Sequence, residues 1–332
     1  MSLLTVGEVR CRIWHGLIPA VPVPFRKTGE IDWGAQQRYV AWMAKQPING
    51  VAVWAHTGRG LRLQREDRLQ VLRSWREGLG PSKVIVAGVG GSPERAADFS
   101  AYVDSAMAMA RDALEGGAHA FLIHPPRLFH HVASNAETLL TYHRELSSTS
   151  VPQFLFYLYE AAGGFPYSQE HLRALFALPG VAGIKVATLD SVMTFQKVAR
   201  LLAREFPQQL IITGEDRFLG YSLMCGAQAA LIGMGAACTA LQAGMLQAFY
   251  EGRAREFLEL SGKVDGLSQV TFIPPMEGYI RRMLWALVHQ GVIERESAYD
   301  PWGPELPETE FEELGKTIAE LGKSATRSSP ED

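Results

Sequence analysis

The sequence is poor in cysteine, with 3 in 332 residues (Cys11, Cys225 and Cys238) and no C-x-x-C pair. A disulfide framework or a zinc knuckle is therefore not expected. Neither sign of charge is in excess, since 32 basic side chains face 35 acidic ones for a net charge of −3. A chain so balanced offers no polycationic face to nucleic acid or anionic lipid. No apolar run approaches the roughly 20 residues needed to span a bilayer, and Met1–Arg12 contains no apolar signal-peptide core. These absences point to a cytoplasmic protein with neither nucleic acid nor membrane as partner. A dinucleotide fingerprint is missing as well. The first strand-to-helix turn reads Pro22-Val23-Pro24-Phe25-Arg26. Gly88-Val89-Gly90-Gly91-Ser92, after the third strand-like run, lacks the third glycine and the acidic follower, so it reads as a plain turn.

What is present is an ordinary globular composition, 47% hydrophobic and 20% charged. Eight short apolar runs, rich in β-branched residues, recur along the chain: Gly16–Pro22, Gly50–Ala55, Lys83–Gly88, Ala118–His124, Gln153–Tyr159, Val181–Val186, Gln209–Thr213 and Ala229–Gly233. Amphipathic segments separate them. Glu94–Glu115 is one, started by Ser92-Pro93 and stopped by Gly116-Gly117. Leu189–Arg204 is another, with Asp190 as its cap and Val192, Met193, Phe195, Val198, Leu201 and Leu202 as its buried stripe. Strand–helix alternation implies parallel strands, and continuous apolar runs imply strands covered on both faces. Eight units predict a closed (β/α)8 TIM barrel rather than an open sheet. Such a barrel needs about 250 residues, and this chain is about 80 longer. After Ala240 the strand signals stop, and helical patterns follow near Leu241–Glu251, Arg253–Lys263, Pro275–Gln290 and Pro307–Leu321. The sequence thus divides into a barrel over 13–240, a C-terminal helical extension over 241–322 and a disordered tail over 323–332.

Of the 8 lysines, seven have polar or turn-like surroundings, Lys83 among them at the very start of its run; only Lys185 lies inside an apolar strand, Val181-Ala182-Gly183-Ile184-Lys185-Val186-Ala187. Burying an ammonium costs several kcal/mol unless it is paired or neutralised. Desolvation lowers a lysine pKa, and the neutral amine is the form that attacks a carbonyl to make an imine. The C-terminal end of a barrel strand is also where barrel enzymes keep their chemistry. The bland alternative is a lysine whose head snorkels out at the rim.

At this point the chain resembles the pyruvate-dependent class I aldolases and dehydratases typified by dihydrodipicolinate synthase and N-acetylneuraminate lyase. Gly16-Leu17-Ile18-Pro19-Ala20 with Pro24-Phe25 and Gly29-Glu30-Ile31-Asp32 is similar to that family's opening. Ala55-His56-Thr57-Gly58-Arg59 stands where the family has Gly-Thr-Thr-Gly-Glu, and Gly183-Ile184-Lys185 matches its Schiff-base strand. Gly214-Glu215-Asp216 and Gly226–Gly233 resemble its seventh and eighth strands. The resemblance implies that Lys185 forms an imine with a 2-oxo acid. It implies that a strand-five tyrosine shuttles protons: Tyr157, seven residues before Gly164, with Tyr159 as competitor on the same strand face. It also implies that Thr57 and the loop amides around His56 and Gly58 hold the substrate carboxylate, and that the chain forms a homo-oligomer, tetramer or dimer, using its extra helices. No cofactor is implied.

Departures narrow the substrate. His56 replaces the first threonine, Arg59 replaces the glutamate, and His124-Pro125-Pro126-Arg127 replaces the Pro-Tyr-Tyr turn that lends a tyrosine between subunits. The arginine expected five residues after Tyr157 is Ala162. These changes argue against dihydrodipicolinate synthesis. His56 either takes over the proton relay or is a hydrogen-bonded loop histidine. Arg59 either meets a second substrate carboxylate or, the safer reading, pairs with a surface acid. His130-His131 lacks the further ligands a metal would need, and Asp216 either lines the pocket mouth or, the plainer reading, caps the following helix. The expected activity is that of a Schiff-base lyase of aldolase type acting on pyruvate or a longer 2-oxo acid. The alternatives are a 2-oxo sugar acid dehydratase and a non-catalytic barrel that binds a small acid.

Overall fold

The computed structural model describes residues 3–92, 96–126 and 136–326. Eight strands form one parallel sheet in the order β1-β8-β7-β6-β5-β4-β3-β2. They are β1 (Leu17–Pro19), β2 (Gly50–Val53), β3 (Val84–Val89), β4 (Ala120–Ile123), β5 (Gln153–Leu158), β6 (Val181–Ala187), β7 (Leu210–Thr213) and β8 (Ala229–Ile232). A parallel bridge between Ala20 and Ala52 closes the barrel between β1 and β2. Each strand lies inside the run predicted for it or within one residue of its end. The runs overshoot chiefly at the rims, where apolar residues such as Val21 and Trp54 stay buried after the ladder has ended.

Helix α1 (Val6–Ile13) precedes the barrel, and Thr5 with Glu8 forms its capping box. Its Val9 and Ile13 join the cluster inside the barrel, so this helix plugs the barrel's N-terminal end. Seven further helices follow the first seven strands in turn: α2 (Trp33–Met43), α3 (Arg65–Leu79), α4 (Phe99–Glu115), α5 (Ala136–Ser147), α6 (Gln169–Phe176), α7 (Val192–Glu205) and α8 (Leu219–Met224). After β8 come α9 (Thr239–Tyr250), α10 (Ala254–Thr271), α11 (Tyr279–His289) and α12 (Glu308–Thr326). Two apolar clusters result. One fills the barrel with Val84, Val86, Leu122, Phe154, Phe156 and Leu231. The larger one lies between strands and helices. No described helix is long and apolar enough to cross a membrane.

Three helical expectations are corrected. α4 starts at Phe99 rather than Glu94, because the Asp98 carboxylate accepts from the Ala101 N–H and caps it there; Pro93 and Glu94 themselves lie outside the described residues. α7 is capped by Ser191, not Asp190, and Met193 is 67% exposed instead of belonging to the buried stripe. α12 runs to Thr326, past Lys323 where the tail was expected, and residues 327–332 lie outside the described residues. The Gly90-Gly91 turn packs against α4: a Cβ on Gly91 would stand 2.5 Å from the Tyr102 ring.

Candidate active site

Lys185 stands on β6 facing the barrel interior, 5% exposed. Parallel register sets Phe156 of β5 opposite it, and its Nζ lies 4.5 Å from the Phe156 ring centroid. Its stem passes over Gly214, where a Cβ would come within 2.4 Å of Lys185 Cε and 2.8 Å of Ala187 Cβ. Gly214 is thus the clearance that lets the lysine lie along the rim. Gly214→Ala is expected to displace the amine and cut imine formation by more than tenfold while the protein stays folded, which borohydride trapping and circular dichroism check together.

Two acids follow on the same turn. The Glu215 carboxylate accepts from the Thr188 N–H (2.8 Å), the Thr188 hydroxyl (2.9 Å) and the Leu189 N–H (2.7 Å), pinning the turn after β6 to β7. Asp216 Oδ1 accepts from the Met234 N–H at 2.7 Å. Asp216 therefore does not cap the next helix: α8 begins after Phe218 with no side-chain cap, and the carboxylate is spent on the turn after β8. Burial lowers the Lys185 pKa from its ordinary 10.5, while the charges of Asp216 and Glu215 work against that shift. Burial likewise raises Asp216, against its backbone hydrogen bonds and the lysine charge. It pushes Glu215 up to about 7 despite the donors of Thr188 and Leu189.

The loop after β2 carries the next group. Trp54 adopts φ +58°, and the chain folds back so closely that a Cβ on Gly60 would meet the Trp54 carbonyl oxygen at 2.2 Å. Glycine is required there. Thr57, buried, exchanges a hydrogen bond with the Tyr279 hydroxyl at 2.9 Å. The Gly58 N–H is committed to the Ala55 carbonyl (3.0 Å), so Gly58 offers no amide to a ligand. His56 Nε2 meets both carboxylate oxygens of Glu277 (2.9 and 3.0 Å). Arg59 donates from Nη1 to Glu277 (2.9 Å) and from Nε and Nη2 to Asp300 (3.2 and 2.6 Å). Arg59 is thus paired, as the safer reading had it, but its partners are extension carboxylates and Asp300 is buried, not on the surface. Tyr159 donates its hydroxyl to Glu277 Oε1 at 2.5 Å. Burial tends to raise Glu277, but the hydrogen bond of His56, the Tyr159 bond and the Arg59 charge hold it well below the usual carboxylate range.

The two tyrosines separate. Tyr157 lies on the helix side of β5: its ring meets Tyr167 edge-on at 5.4 Å, and with Leu172 of α6 and Thr194 of α7 it lines a different hollow. It does not reach Lys185, because alternate strand residues face opposite ways and Phe156 takes the inward position. Nor do the two tyrosines share a face, because β5 ends at Leu158 and Tyr159 begins a short 3-10 turn. Tyr159→Phe is expected to lower turnover at least tenfold and Tyr157→Phe less than threefold, as steady-state kinetics on purified variants would measure.

His56, Arg59, Leu61, His124, Leu158 and Glu277 are among the residues lining a cavity of ≈ 250 Å³ at this end of the barrel, with Trp302 beside them. Lys185 is not itself among the lining residues. His124, a lining residue, lies 5.8 Å from the Phe156 ring that underlies the lysine. Glu277, Tyr279 and Asp300 all come from the C-terminal extension, and sequence reasoning missed them. No cluster of three or more metal-ligating side chains occurs among the described residues; Arg127, His130 and His131 lie outside them.

A closed (β/α)8 barrel with a buried lysine and partnered acids at its strand C-termini has the layout of a barrel enzyme. Residues 14–321 match the dihydrodipicolinate synthetase family, and the chain belongs to that family. A relative in Emericella nidulans, named probable 4-hydroxy-2-oxoglutarate aldolase, is 23% identical over 65% of this chain and 69% of its own. N-acetylneuraminate lyase 2 of Escherichia coli is 20% identical over 93% and 94%. Among solved structures, a putative dihydrodipicolinate synthase from Thermus thermophilus matches with TM-score 0.74 at 25% identity, covering 92% of this chain and 99% of that one. An Escherichia coli prophage protein of the dihydrodipicolinic acid synthase family, in complex with pyruvate, matches with TM-score 0.79 at 18% identity over 92% and 98%. The protein is an enzyme of the lyase class, in a family of aldolases and lyases.

Proposed function

We propose that this lyase works through an imine between Lys185 and a 2-oxo acid, and that it cleaves or forms a carbon–carbon bond next to the keto group. The observation that carries the reading is the lysine itself: buried, facing inward on β6, with burial lowering its pKa towards the neutral, nucleophilic form. The amine adds to the substrate's C2 carbonyl and water leaves. The C4 hydroxyl gives up its proton and its O–H pair becomes the aldehyde carbonyl, the C3–C4 pair becomes the C2=C3 bond of an enamine, and the C2=N pair returns to nitrogen. A proton then adds at C3, and water hydrolyses the imine to release pyruvate and the free amine. Thr57, with its Tyr279 partner, and the His56 and Thr57 amides are suited to hold the carboxylate. The related proteins named aldolase and lyase, and the pyruvate complex of a structural neighbour, support this substrate class.

The Tyr159 hydroxyl is held by Glu277 rather than pointed at the lysine, and Phe156 faces Lys185. The synthase's reaction, with its tyrosine beside the lysine, is therefore not what we assign. A panel of 4-hydroxy-2-oxo acids, including 2-oxo sugar acids and aromatic aldol adducts, tests the assignment. Lysine-dependent release of pyruvate is the expected result. Loss of water with the carbon skeleton intact would instead make the enzyme a dehydratase.

Assembly as a homo-oligomer, tetramer or dimer, belongs to the same reading. Met193 of α7 and Tyr221 and Met224 of α8 are exposed, and α7 and α8 are joined by the Gln196–Tyr221 hydrogen bond (2.8 Å). An apolar face of this kind suits a subunit contact.

A further inference from the structure

Phe156 faces Lys185 and carries no hydroxyl, so β5 offers no phenol at the imine. Proton transfer at C3 of the bound 2-oxo acid needs a group that can both take and give a proton. His56 has that chemistry and lines the cavity. Its ring is fixed on several sides. Tyr159 meets it edge-on at 6.1 Å, Tyr279 lies tilted against it at 6.4 Å, and Nε2 is hydrogen-bonded to Glu277. Among the described residues Nδ1 has no hydrogen bond.

Glu277 is brought to this place by the extension. It sits in the short turn Met276–Gly278 between α10 and α11. The buried Arg282 of α11 braces that approach, donating from Nη1 to the carbonyls of Ile273 (2.8 Å), Pro275 (3.3 Å) and Thr271 (3.4 Å) and from Nε to Glu310 of α12 (2.8 Å).

We propose that Glu277 is a positioning residue for His56: its carboxylate holds the imidazole with the proton on Nε2, which leaves Nδ1 as the base that moves the C3 proton. The proposal rests on the imine reading above. In the iminium of pyruvate, Nδ1 takes a proton from C3. The C–H electron pair becomes the C2=C3 bond, and the C2=N pair returns to nitrogen. The imidazolium exchanges its proton with solvent and gives one back to C3, so in deuterium oxide each cycle places deuterium in the pyruvate methyl group. No other reagent is needed. The charged and titratable groups around His56 are Glu277, Arg59 behind it, Tyr159, Tyr279, and His124 and Arg62 on the same cavity wall.

The test uses the full chain with pyruvate and two readouts: borohydride trapping on Lys185, and deuterium entry into the methyl group followed by NMR across pH. Glu277→Gln removes the carboxylate charge and one of the two oxygens that hold the proton on Nε2. Trapping is expected at the wild-type yield, with exchange about 100-fold slower or more and a changed pH profile. His56→Asn should lose exchange to the same degree, and Glu277→Asp should recover part of it. The proposal is overturned if Glu277→Gln exchanges at the wild-type rate with the wild-type pH profile. It is equally overturned if trapping falls in step with exchange, as a loosened fold would give. A wild-type enzyme that forms no adduct overturns the imine reading and this proposal together, whereas an adduct with unaltered exchange in Glu277→Gln overturns this proposal alone.

Discussion

Lys185→Met is expected to reduce turnover to the uncatalysed background while leaving the protein folded. Methionine keeps the length and apolar body of the side chain, so the Phe156 ring and the channel over Gly214 remain filled. Only the amine is lost, and with it the covalent route. Replacing a buried charge by an apolar group of similar volume is often neutral for stability or better. The pH dependence has a definite sign. The folded-state pKa of this lysine lies below its ordinary 10.5, so the unfolded chain binds the extra proton between the two values. Burying Lys185 therefore costs stability at neutral pH, and the cost fades as pH rises towards 10.5. The same shift means that the wild-type trapping rate at fixed pyruvate rises with pH well below the range of an exposed lysine. Chemical melts and trapping at several pH values check both statements. Residual turnover in Lys185→Met near the wild-type rate would contradict the covalent route.

The second large effect concerns stability. Arg59→Ala is expected to cost about 3–5 kcal/mol, because the Asp300 carboxylate, 2% exposed, would be left in the interior without its two-pronged partner. Arg59 also answers Glu277, so the variant should lose activity as well. Arg255→Ala is the control. Its ion pair with Glu259 lies on the surface of α10, with side chains 95% and 61% exposed, and such a pair contributes within about 0.5 kcal/mol. Urea titration of the two variants measures the difference. Replacing Arg59 and Asp300 together by Met and Leu should recover much of the loss, since the penalty comes from the orphaned charge and not from the missing bond. Equal midpoints for Arg59→Ala and Arg255→Ala would contradict this view of the cluster.

The barrel was legible because its determinants are local. Eight apolar runs with β-branched residues, broken by amphipathic segments, state the strand count. Lys185 in Val181–Ala187 announces itself as the one lysine in the interior of an apolar strand. Thr57 and His56 were legible from their loop. Tyr157 misled because a spacing to Gly164 was used where register decides. The gap from Gln153 to Lys185's partner is fixed by the shift in pairing at Gln153 and Phe154, and no residue-counting rule reveals that shift. α1 is not legible in the sequence because its short pattern lies before the first strand and its role depends on the barrel it plugs. Glu277, Tyr279 and Asp300 were illegible for a different reason. They sit 218 to 241 positions from Arg59, and 222 from Thr57, along the chain, and only the tertiary path of α10 and α11 brings them to the strand ends. The length beyond a bare barrel, read from sequence as assembly surface, also supplies the carboxylates that order the loop after β2.

The proposed mechanism turns on covalent capture at a single lysine. Incubating the wild-type protein with pyruvate and borohydride, then mapping the modified peptides by mass spectrometry, addresses it directly. The chain contains 8 lysines, and the predicted result is reduced pyruvate on Lys185 alone, with none on the other seven and none in Lys185→Met. An adduct spread over surface lysines, or a wild-type protein left unmodified by pyruvate and by longer 2-oxo acids, would contradict it.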